Sequence, residues 1–381
     1  MSESQWLGFE GDSQGTEVEP CKIENFDFER FMEKESESKE KRDRFVSSPV
    51  GVLIHRRFRV PRVFSYGCAD MKESLEWQLG ALQTSLDYPM DIPNFLEPWY
   101  GIGTVASCFG AEYAWKDGQA PAVSPPFTSI DEALDFDPVP VESTQIGITT
   151  LEMIEYFLEE TGGRLPVSFT DTQSPSNVAA SLLDTTSYLL GLYDYPEKIQ
   201  TLIDRIVSLI VDFTQKQRTL IGDALVLPGH GFAACREFTG LGMSDDSSSM
   251  LSPGQFRLFN SEAMSRTGTP FGGAVYHSCG NWESRLSQVL GIEGLVSLDA
   301  AFTVDTDSDP NRAVFFTEAM RNTGIVLNAR CAGSPETIKP AIKELVKPGM
   351  KSIIVTYART VAEQQEIIRY IEEESDAEDS L

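Results

Sequence analysis

The chain is poor in the side chains that most often bind metals or form cross-links. Its 381 residues include only three histidines and six cysteines. The cysteines lack the regular spacing of a secreted disulfide framework. They stand at positions 21, 68, 108, 235, 279 and 331. We therefore expect reduced thiols, which are free to bind a metal or to act as nucleophiles.

Long apolar runs and positive charge are also scarce. No run approaches the roughly 18 consecutive apolar residues of a membrane-spanning helix. The first residues, MSESQWLGFEGDSQ, lack the basic and then apolar pattern of a signal peptide. We therefore expect a cytoplasmic protein that does not insert into membranes. The 31 basic and 58 acidic residues give a formal net charge of -27, which disfavours nucleic-acid binding. An acidic excess of this size also simply favours solubility.

The two ends of the chain differ in composition from the part between them. We interpret residues 1–60 as a polar N-terminal extension, in which FMEKESESKEKRDRF predicts a charged, solvated helix. His55 lies among arginines near the end of this range, and we interpret it as part of a solvated basic segment. Residues 373–381 form an acidic tail that we expect to be frayed or disordered. Residues 61–372 remain as the main domain.

In the main domain, short β-branched or apolar segments alternate with helical patterns. The predicted strands are 165–171, 224–229, 240–246, 273–280, 294–300, 324–330 and 352–358. Strand, helix, strand in repetition favours parallel pairing through crossover helices. With an eighth strand expected between residues 100 and 125, the pattern predicts an α/β fold, a (β/α)8 TIM barrel with an N-terminal helical extension. An open doubly wound sheet is the competing architecture, but no G-x-G-x-x-G motif follows an early strand.

The segment YHSCG contains a histidine and a cysteine two residues apart, His277 and Cys279. Side chains two apart on a strand share a face, and here both fall at the carboxyl end, where barrel active sites lie. Imidazole and thiolate suit zinc, and Cys331, directly after another strand, is the cysteine best placed to give a third ligand. The alternative is that these cysteines are buried as small apolar residues.

Acidic residues also follow several predicted strands. They are Asp171, Asp245, Asp246 and Asp299. We take the first three as candidate catalytic groups, acting as a general acid or a further metal ligand, and Asp299 as a candidate substrate-binding group. The alternative is that each caps the helix that follows it.

Three further strand-end side chains are candidates for binding substrate. Arg330 and Arg359 can each hold a carboxylate or phosphate through two parallel hydrogen bonds, and Tyr357 precedes Arg359 by two residues. Pairing of the arginines with the aspartates is the alternative. His230, in the Gly-rich LPGHGFAAC segment, is interpreted as a surface or structural residue.

Four segments resemble the uroporphyrinogen decarboxylase superfamily and occur in that family's order. They are DIPNFLEPWYGIGTVASCFGAE (91–112), FTDTQSPSNVAASLLDTTSYLLGLYDYPEKIQTLI (169–203), MSDDSSSMLSPGQFRLF (243–259) and YHSCGN (276–281). The resemblance implies a barrel with its pocket at the carboxyl ends of the strands. The arginine- and glycine-rich segment of the true decarboxylase has no counterpart before residue 70, which disfavours decarboxylation of uroporphyrinogen itself.

The H-x-C-G motif is similar to that of the superfamily's zinc-dependent methyltransferases. The resemblance implies that His277 and Cys279 bind zinc, which activates a thiol for methyl transfer with a corrinoid protein. In those enzymes the third ligand is a cysteine after the last strand, where this chain has Tyr357 and Arg359. Cys331, one strand earlier, is then the expected substitute.

Two other functions stay open from the sequence. One is a metal-free carboxy-lyase for a tetrapyrrole or other anionic substrate, with Asp171 or Asp245 holding pyrrole N–H groups and Arg330 or Arg359 holding a carboxylate. The other is a non-catalytic barrel that binds a small ligand or a corrinoid protein. The chain shows no D-x-H-x-x-G corrinoid motif, so methyl transfer implies a separate corrinoid partner. A homodimer is compatible with each function.

Overall fold

The computed structural model describes residues 14–116 and 120–378. Its helices are α1 (Phe28–Glu37), α2 (Lys39–Ser47), α3 (Met71–Ser85), α4 (Ile130–Asp135), α5 (Gln145–Thr161), α6 (Pro175–Leu182), α7 (Thr185–Asp194), α8 (Pro196–Ile221), α9 (Pro253–Gln255), α10 (Glu262–Gly268), α11 (Leu286–Val289), α12 (Ala313–Met320), α13 (Pro335–Leu345) and α14 (Val361–Glu378). Its strands are β1 (Gly51–Arg56), β2 (Tyr113–Ala114), β3 (Ala122–Val123), β4 (Leu241–Ser244), β5 (Ala274–His277), β6 (Leu295–Ala301), β7 (Val326–Cys331) and β8 (Lys351–Thr356). In the described ranges, no helix combines the length and the apolar character needed to cross a bilayer.

Six strands form one parallel sheet in the order β1, β8, β7, β6, β5, β4. Parallel neighbours need crossover connections, and the chain supplies them as helices, with α12 between β6 and β7 and α13 between β7 and β8. All six residues of β1 pair with β8. The barrel therefore already includes residues 51–56, which the sequence assigned to the extension, and we correct that boundary.

Isolated backbone contacts connect the two edges of this sheet. The amides of Asp91 and Ile92 donate to the carbonyl of Ile54 in β1. Isolated parallel bridges then join Leu96 to Val167, Val167 to Leu225, and Gln173 to Ser244. Ser244 belongs to β4. These contacts therefore connect β1 at one edge of the sheet with β4 at the other edge and close the sheet into a barrel.

Five of the seven predicted strand segments contain a regular strand, and the other two, 165–171 and 224–229, are joined only by bridges. The eighth strand expected between residues 100 and 125 is wrong. Among the described residues of that region, the strands are the short antiparallel pair β2 and β3, which lies outside the barrel sheet, and residues 117–119 lie outside the described residues. The missing positions are filled by β1 and by the segment around Leu96. The sequence pattern did not predict β1 as a strand, because the arginines at its end indicate a solvent-exposed segment.

The N-terminal extension is attached to the barrel through buried side chains. Phe31 of α1 and Phe45 of α2 are buried. The guanidinium of Arg42 is also buried, and it donates to the carboxylate of Glu237 at 2.9 and 3.2 Å and to the carbonyl of Asp91 at 3.0 Å. The prediction of a solvated helix is therefore corrected, since this segment covers one end of the barrel.

His55 is buried in β1, which corrects its interpretation as a solvated residue. Its Nδ1 lies 2.9 Å from the carbonyl oxygen of Ile92. Burial lowers the pKa of His55 to about 4. The imidazole is therefore neutral at physiological pH and is part of the barrel wall.

At the C-terminus, α14 continues to Glu378, so the predicted acidic tail from residue 373 begins inside a helix. Residues 379–381 of that tail lie outside the described residues, as do residues 1–13 of the extension.

Neighbouring residues of β6, β7 and β8 point alternately into the barrel and out towards the helices. Ile353 and Val355 belong to an apolar cluster inside the barrel with Leu53. Ile354 between them, and Leu327, Ala329 and Cys331 of β7, belong instead to the main core that includes helix residues such as Ile338 of α13. This alternation decides which strand-end side chains reach the site.

Candidate functional site

The histidine and cysteine of the YHSCG segment meet at the carboxyl end of β5. His277 is the last residue of β5, and Cys279 follows it by two. The Nε2 atom of His277 lies 3.6 Å from the Sγ atom of Cys279. Both side chains therefore face the same side, as the two-residue spacing predicts.

A carboxylate completes this cluster. Ligand atoms of Asp246, His277 and Cys279 all lie within 4.8 Å of one another. Asp246 follows β4, which is the neighbour of β5, and its Oδ1 accepts a hydrogen bond of 2.7 Å from the amide of Cys279. Oxygen, nitrogen and sulfur donors in one cluster fit zinc with a fourth position left for a substrate.

The structure does not bring Cys331 to this cluster, which corrects its prediction as the third ligand. Cys331 is fully buried in the core between the sheet and the helices. Arg330, next to it on β7, binds Asp299 on the barrel's inner side. Adjacent strand residues point in opposite directions, so Cys331 faces away from the site. Burial raises the pKa of its thiol to about 12.

Asp299 of β6 organises the groups behind the cluster. Its Oδ2 lies 2.6 Å from Nδ1 of His277 and accepts a hydrogen bond of 2.8 Å from Nε of Arg330. Its Oδ1 accepts from the side-chain amide of Asn328. Protein groups bind both of its oxygens, and its substrate-binding role stays a prediction. Its carboxylate orients the imidazole, as carboxylates commonly do behind metal-binding histidines.

This arrangement changes the proton affinity of both partners. Burial disfavours the charged imidazole of His277, but its hydrogen bonds to Asp299 and Cys279 outweigh burial and raise its pKa to about 10. Burial likewise disfavours the charged carboxylate of Asp299, yet Arg330 and His277 hold its pKa below the usual value. Without a metal, the pair is therefore an ion pair at neutral pH.

The two neighbouring aspartates after β4 have different environments. Asp245 is completely buried, where its carboxylate accepts hydrogen bonds from Ser174, at 2.7 Å, and from Asn260. Asn260 lies in a short π-helical segment, Phe256–Ser261. Burial is the main cause that raises the pKa of Asp245 to about 6. Asp245 therefore fixes the segment that follows β4 through its hydrogen bonds to Ser174 and Asn260. Of the two aspartates, Asp246 is the one that belongs to the cluster.

Two other predicted site residues lie outside the cluster. Asp171 is buried and accepts a hydrogen bond of 2.9 Å from Gln173. Arg359 is exposed, and its backbone binds Tyr88 and Glu363. Neither side chain belongs to the group formed by Asp246, His277 and Cys279, and their catalytic and substrate-binding roles stay predictions.

Two buried donors near Asp299 have no hydrogen-bond partner among the described residues. They are Nη2 of Arg330 and the hydroxyl of Tyr357. Burial raises the pKa of Tyr357, and the guanidiniums of Arg57 and Arg330 partly offset this effect. Buried donors are normally satisfied, so these two groups are available to a hydrogen-bond acceptor.

The sequence missed a charged group at the carboxyl ends of the first barrel segments. Oε1 of Glu97 lies 2.9 Å from Nδ1 of His230 and 3.7 Å from Nη2 of Arg57. Burial would raise the pKa of Glu97, but Arg57 and His230 lower it to about 2. His230, interpreted as a surface or structural residue, is thus paired with a carboxylate. The available signal was the position of Glu97 directly after the apolar residues of DIPNFL, at a strand end.

Comparison with protein-family models shows which family the chain belongs to. The family model described as Uroporphyrinogen decarboxylase (URO-D) matches residues 98–357. The chain belongs to the uroporphyrinogen decarboxylase family. The matched range includes the cluster of Asp246, His277 and Cys279 together with Asp299, and it confirms the superfamily predicted from the sequence motifs. No curated protein matches the chain.

A solved structure supports the fold of this family member. The chain is similar to a methyltransferase from Methanosarcina mazei, with 15% sequence identity and a TM-score of 0.57. The alignment covers 78% of this chain and 84% of that one. At this identity the likeness shows the fold, and it confirms the predicted (β/α)8 barrel.

Proposed function

We propose that this protein is a methyltransferase that moves a methyl group between a corrinoid protein and a zinc-activated thiol. The observation that carries the proposal is the cluster of Asp246, His277 and Cys279, with Asp299 bound behind the imidazole. The similar structure from Methanosarcina mazei is described as a methyltransferase, which agrees with this choice within the family.

The donor set fits zinc. Zinc takes nitrogen, sulfur and carboxylate ligands in a tetrahedron, and a catalytic site keeps one position open. A zinc ion held by Asp246, His277 and Cys279 would bind the acceptor thiol in that position and keep it as a thiolate, which is the reactive nucleophile.

The chain's own residues prepare this chemistry. Asp299 accepts a hydrogen bond from Nδ1 of His277, which leaves the Nε2 atom on the side of Cys279, where a bound zinc would replace the Nε2 proton. Asp246 and Cys279 are exposed and His277 is partly exposed. The cluster is therefore open on one side, as it must be if the methyl group arrives on the cofactor of a second protein.

The unpaired donors of Arg330 and Tyr357 suggest that the acceptor thiol carries an acidic group. The Nη2 of Arg330 and the hydroxyl of Tyr357 are buried without a partner, while Nε of the same guanidinium is bound to Asp299. A carboxylate or sulfonate would satisfy both donors. In this proposal Arg330 and Tyr357 bind the acid group and Arg359 takes no part.

The same two donors favour a second candidate, a metal-free carboxy-lyase acting on an anionic substrate. The other residues that the sequence assigned to that reaction give it less support. Asp245 is fully buried with both oxygens occupied, and Asp171 lies outside the cluster. We therefore place methyl transfer first.

A direct assay separates the two candidates. Zinc-loaded protein is mixed anaerobically with methylcobalamin, as a surrogate for the corrinoid protein, and 3-mercaptopropionate. The expected reaction breaks the cobalt–carbon bond, leaves both electrons on cobalt as cob(I)alamin and forms the S-methyl thioether, which mass spectrometry detects. Cys279→Ser is expected to abolish thioether formation, whereas Cys331→Ser is expected to retain it. Release of carbon dioxide from uroporphyrinogen without any thioether formation would favour the lyase and contradict the proposal.

A further inference from the structure

A cavity that is partly open to solvent lies inside the barrel at the end opposite the cluster. Its volume is about 310 Å³. Ser297, Val326 and Lys351 line it from the amino-terminal parts of β6, β7 and β8. These residues share the inward face with Asp299, Asn328 and Ile353 because strand residues two apart point the same way.

Most of the wall of this cavity is apolar. Phe45 of α2 covers it from the extension, and Phe232 and Phe238 enter from the loop that follows residue 228. The rings of Phe45 and Phe238 are 6.1 Å apart between centroids. Val326 and Ile353 complete the apolar lining. Such a wall suits a ligand with an apolar or aromatic body.

Lys351 places a positive charge in this wall. The residue is 9% exposed, its ammonium lies 5.1 Å from the ring centre of Phe45, and it donates one hydrogen bond, of 3.3 Å, to the carbonyl of Val46. Among the described residues, no carboxylate pairs with it, and burial lowers its pKa. The carboxylate of Glu237 also lines the cavity, but Arg42 holds both of its oxygens.

We propose that this cavity is a second ligand site, which binds a small organic acid with an apolar body and sets its carboxylate on Lys351. Its volume suits roughly 10 to 15 non-hydrogen atoms, since a dry cavity of about 150 Å³ holds benzene. An ammonium that uses one of its three donors has two left for a carboxylate. The site is independent of the reaction proposed for the opposite end of the barrel.

A purely structural role for Lys351 gives a different expectation. Val46 lies in the last turn of α2, and a cation near the carboxyl end of a helix is favourable without any ligand. If Lys351 only stabilises this helix end, a carboxylate and a neutral ligand of the same shape will bind equally well. The two roles therefore differ in how affinity depends on the ligand's charge.

The test compares 4-fluorophenylacetate with its neutral isostere 4-fluorophenylacetamide, using fluorine NMR on the full-length protein. We expect saturable binding of the acid, roughly tenfold tighter than that of the amide in the wild type. Lys351→Met is expected to abolish this preference, while Lys343→Met, which removes an exposed lysine on α13, is expected to keep it. Val326→Phe fills the cavity and is expected to weaken binding of both probes.

Three results would overturn the proposal. The first is equal affinity for acid and amide in the wild type, a measurement that needs no variant. The second is an unchanged preference in folded Lys351→Met protein. The third is loss of acid binding in Arg330→Met but not in Lys351→Met, which would place the anion at the other end of the barrel.

Discussion

The Nδ1 atom of His277 lies 2.6 Å from the Oδ2 atom of Asp299, and the other ring nitrogen of His277 faces the sulfur of Cys279. The carboxylate is itself fixed by Arg330 and Asn328. A histidine held in this way has one ring nitrogen committed to the protein and one offered to a ligand. The proposed zinc chemistry depends on this relationship.

Asp299→Asn should weaken zinc binding without unfolding the barrel. The amide keeps the size of the side chain but removes the negative charge that orients His277. Loss of such a partner typically lowers metal affinity by roughly 10- to 100-fold. Competition with a chromophoric chelator measures the affinity, and circular dichroism checks the fold. An unchanged affinity would show that Asp299 does not support the metal ligand.

Arg330→Lys should affect an acidic acceptor thiol more than a neutral one. In the wild type, the planar guanidinium binds Asp299 through Nε and has Nη2 free for a substrate. Lysine keeps the positive charge but cannot make both contacts. We expect KM for 3-mercaptopropionate to rise roughly tenfold, with a much smaller rise for 2-mercaptoethanol. Equal rises for both thiols would instead indicate that the substitution acts only through the position of Asp299.

Arg42→Met should destabilise the whole protein, because the extension is part of the fold. It leaves the partly buried carboxylate of Glu237 without its partner. Removal of one member of a buried pair costs about 3 to 5 kcal/mol, and we expect a value towards the lower end here because Glu237 is partly exposed. Urea denaturation measures the free energy of unfolding. Arg44→Met on the same helix is the control, since Arg44 is exposed, and it should change this free energy by less than about 0.5 kcal/mol. Equal effects of the two substitutions would contradict the buried role of Arg42.

Glu97 should make the stability depend on pH in the acidic range. Its pKa is lowered from 4.5 to about 2 in the folded chain, so the folded state favours the carboxylate. The resulting stability, about 3 kcal/mol, is present above pH 4.5 and is lost as the pH falls towards 2. Between pH 4.5 and 3 we expect the wild type to lose about 2 kcal/mol more than Glu97→Gln in urea denaturation. Identical losses would show that Glu97 has a normal pKa.

Much of the fold and part of the site follow from sequence pattern alone. The alternation of strands and helices predicted the barrel, and the two-residue spacing of His277 and Cys279 predicted that they share a side. Asp246 and Asp299 were named because each follows or ends a strand. The choice between Asp245 and Asp246 needed coordinates, since it depends on Ser174 and Asn260, which are distant in the chain.

Other errors have definite physical causes. Cys331 and Arg330 were both assigned to the site, although neighbouring strand residues point in opposite directions. The segment around His55 was taken as solvated because of its arginines, but Arg56 is buried with its charge over the ring of Phe58 at 4.2 Å. The pairing of Glu97 with His230 joins residues 133 positions apart, and no local pattern predicts it.

The zinc content of matched variants tests the account most directly. Wild type, Asp246→Ala, Cys279→Ser and Cys331→Ser are each dialysed against the same zinc buffer, and bound metal is measured by mass spectrometry. We expect about one equivalent of zinc in the wild type and in Cys331→Ser, and a large loss in Asp246→Ala and Cys279→Ser. A wild type without zinc, or loss of zinc in Cys331→Ser with full retention in Asp246→Ala, would contradict the account.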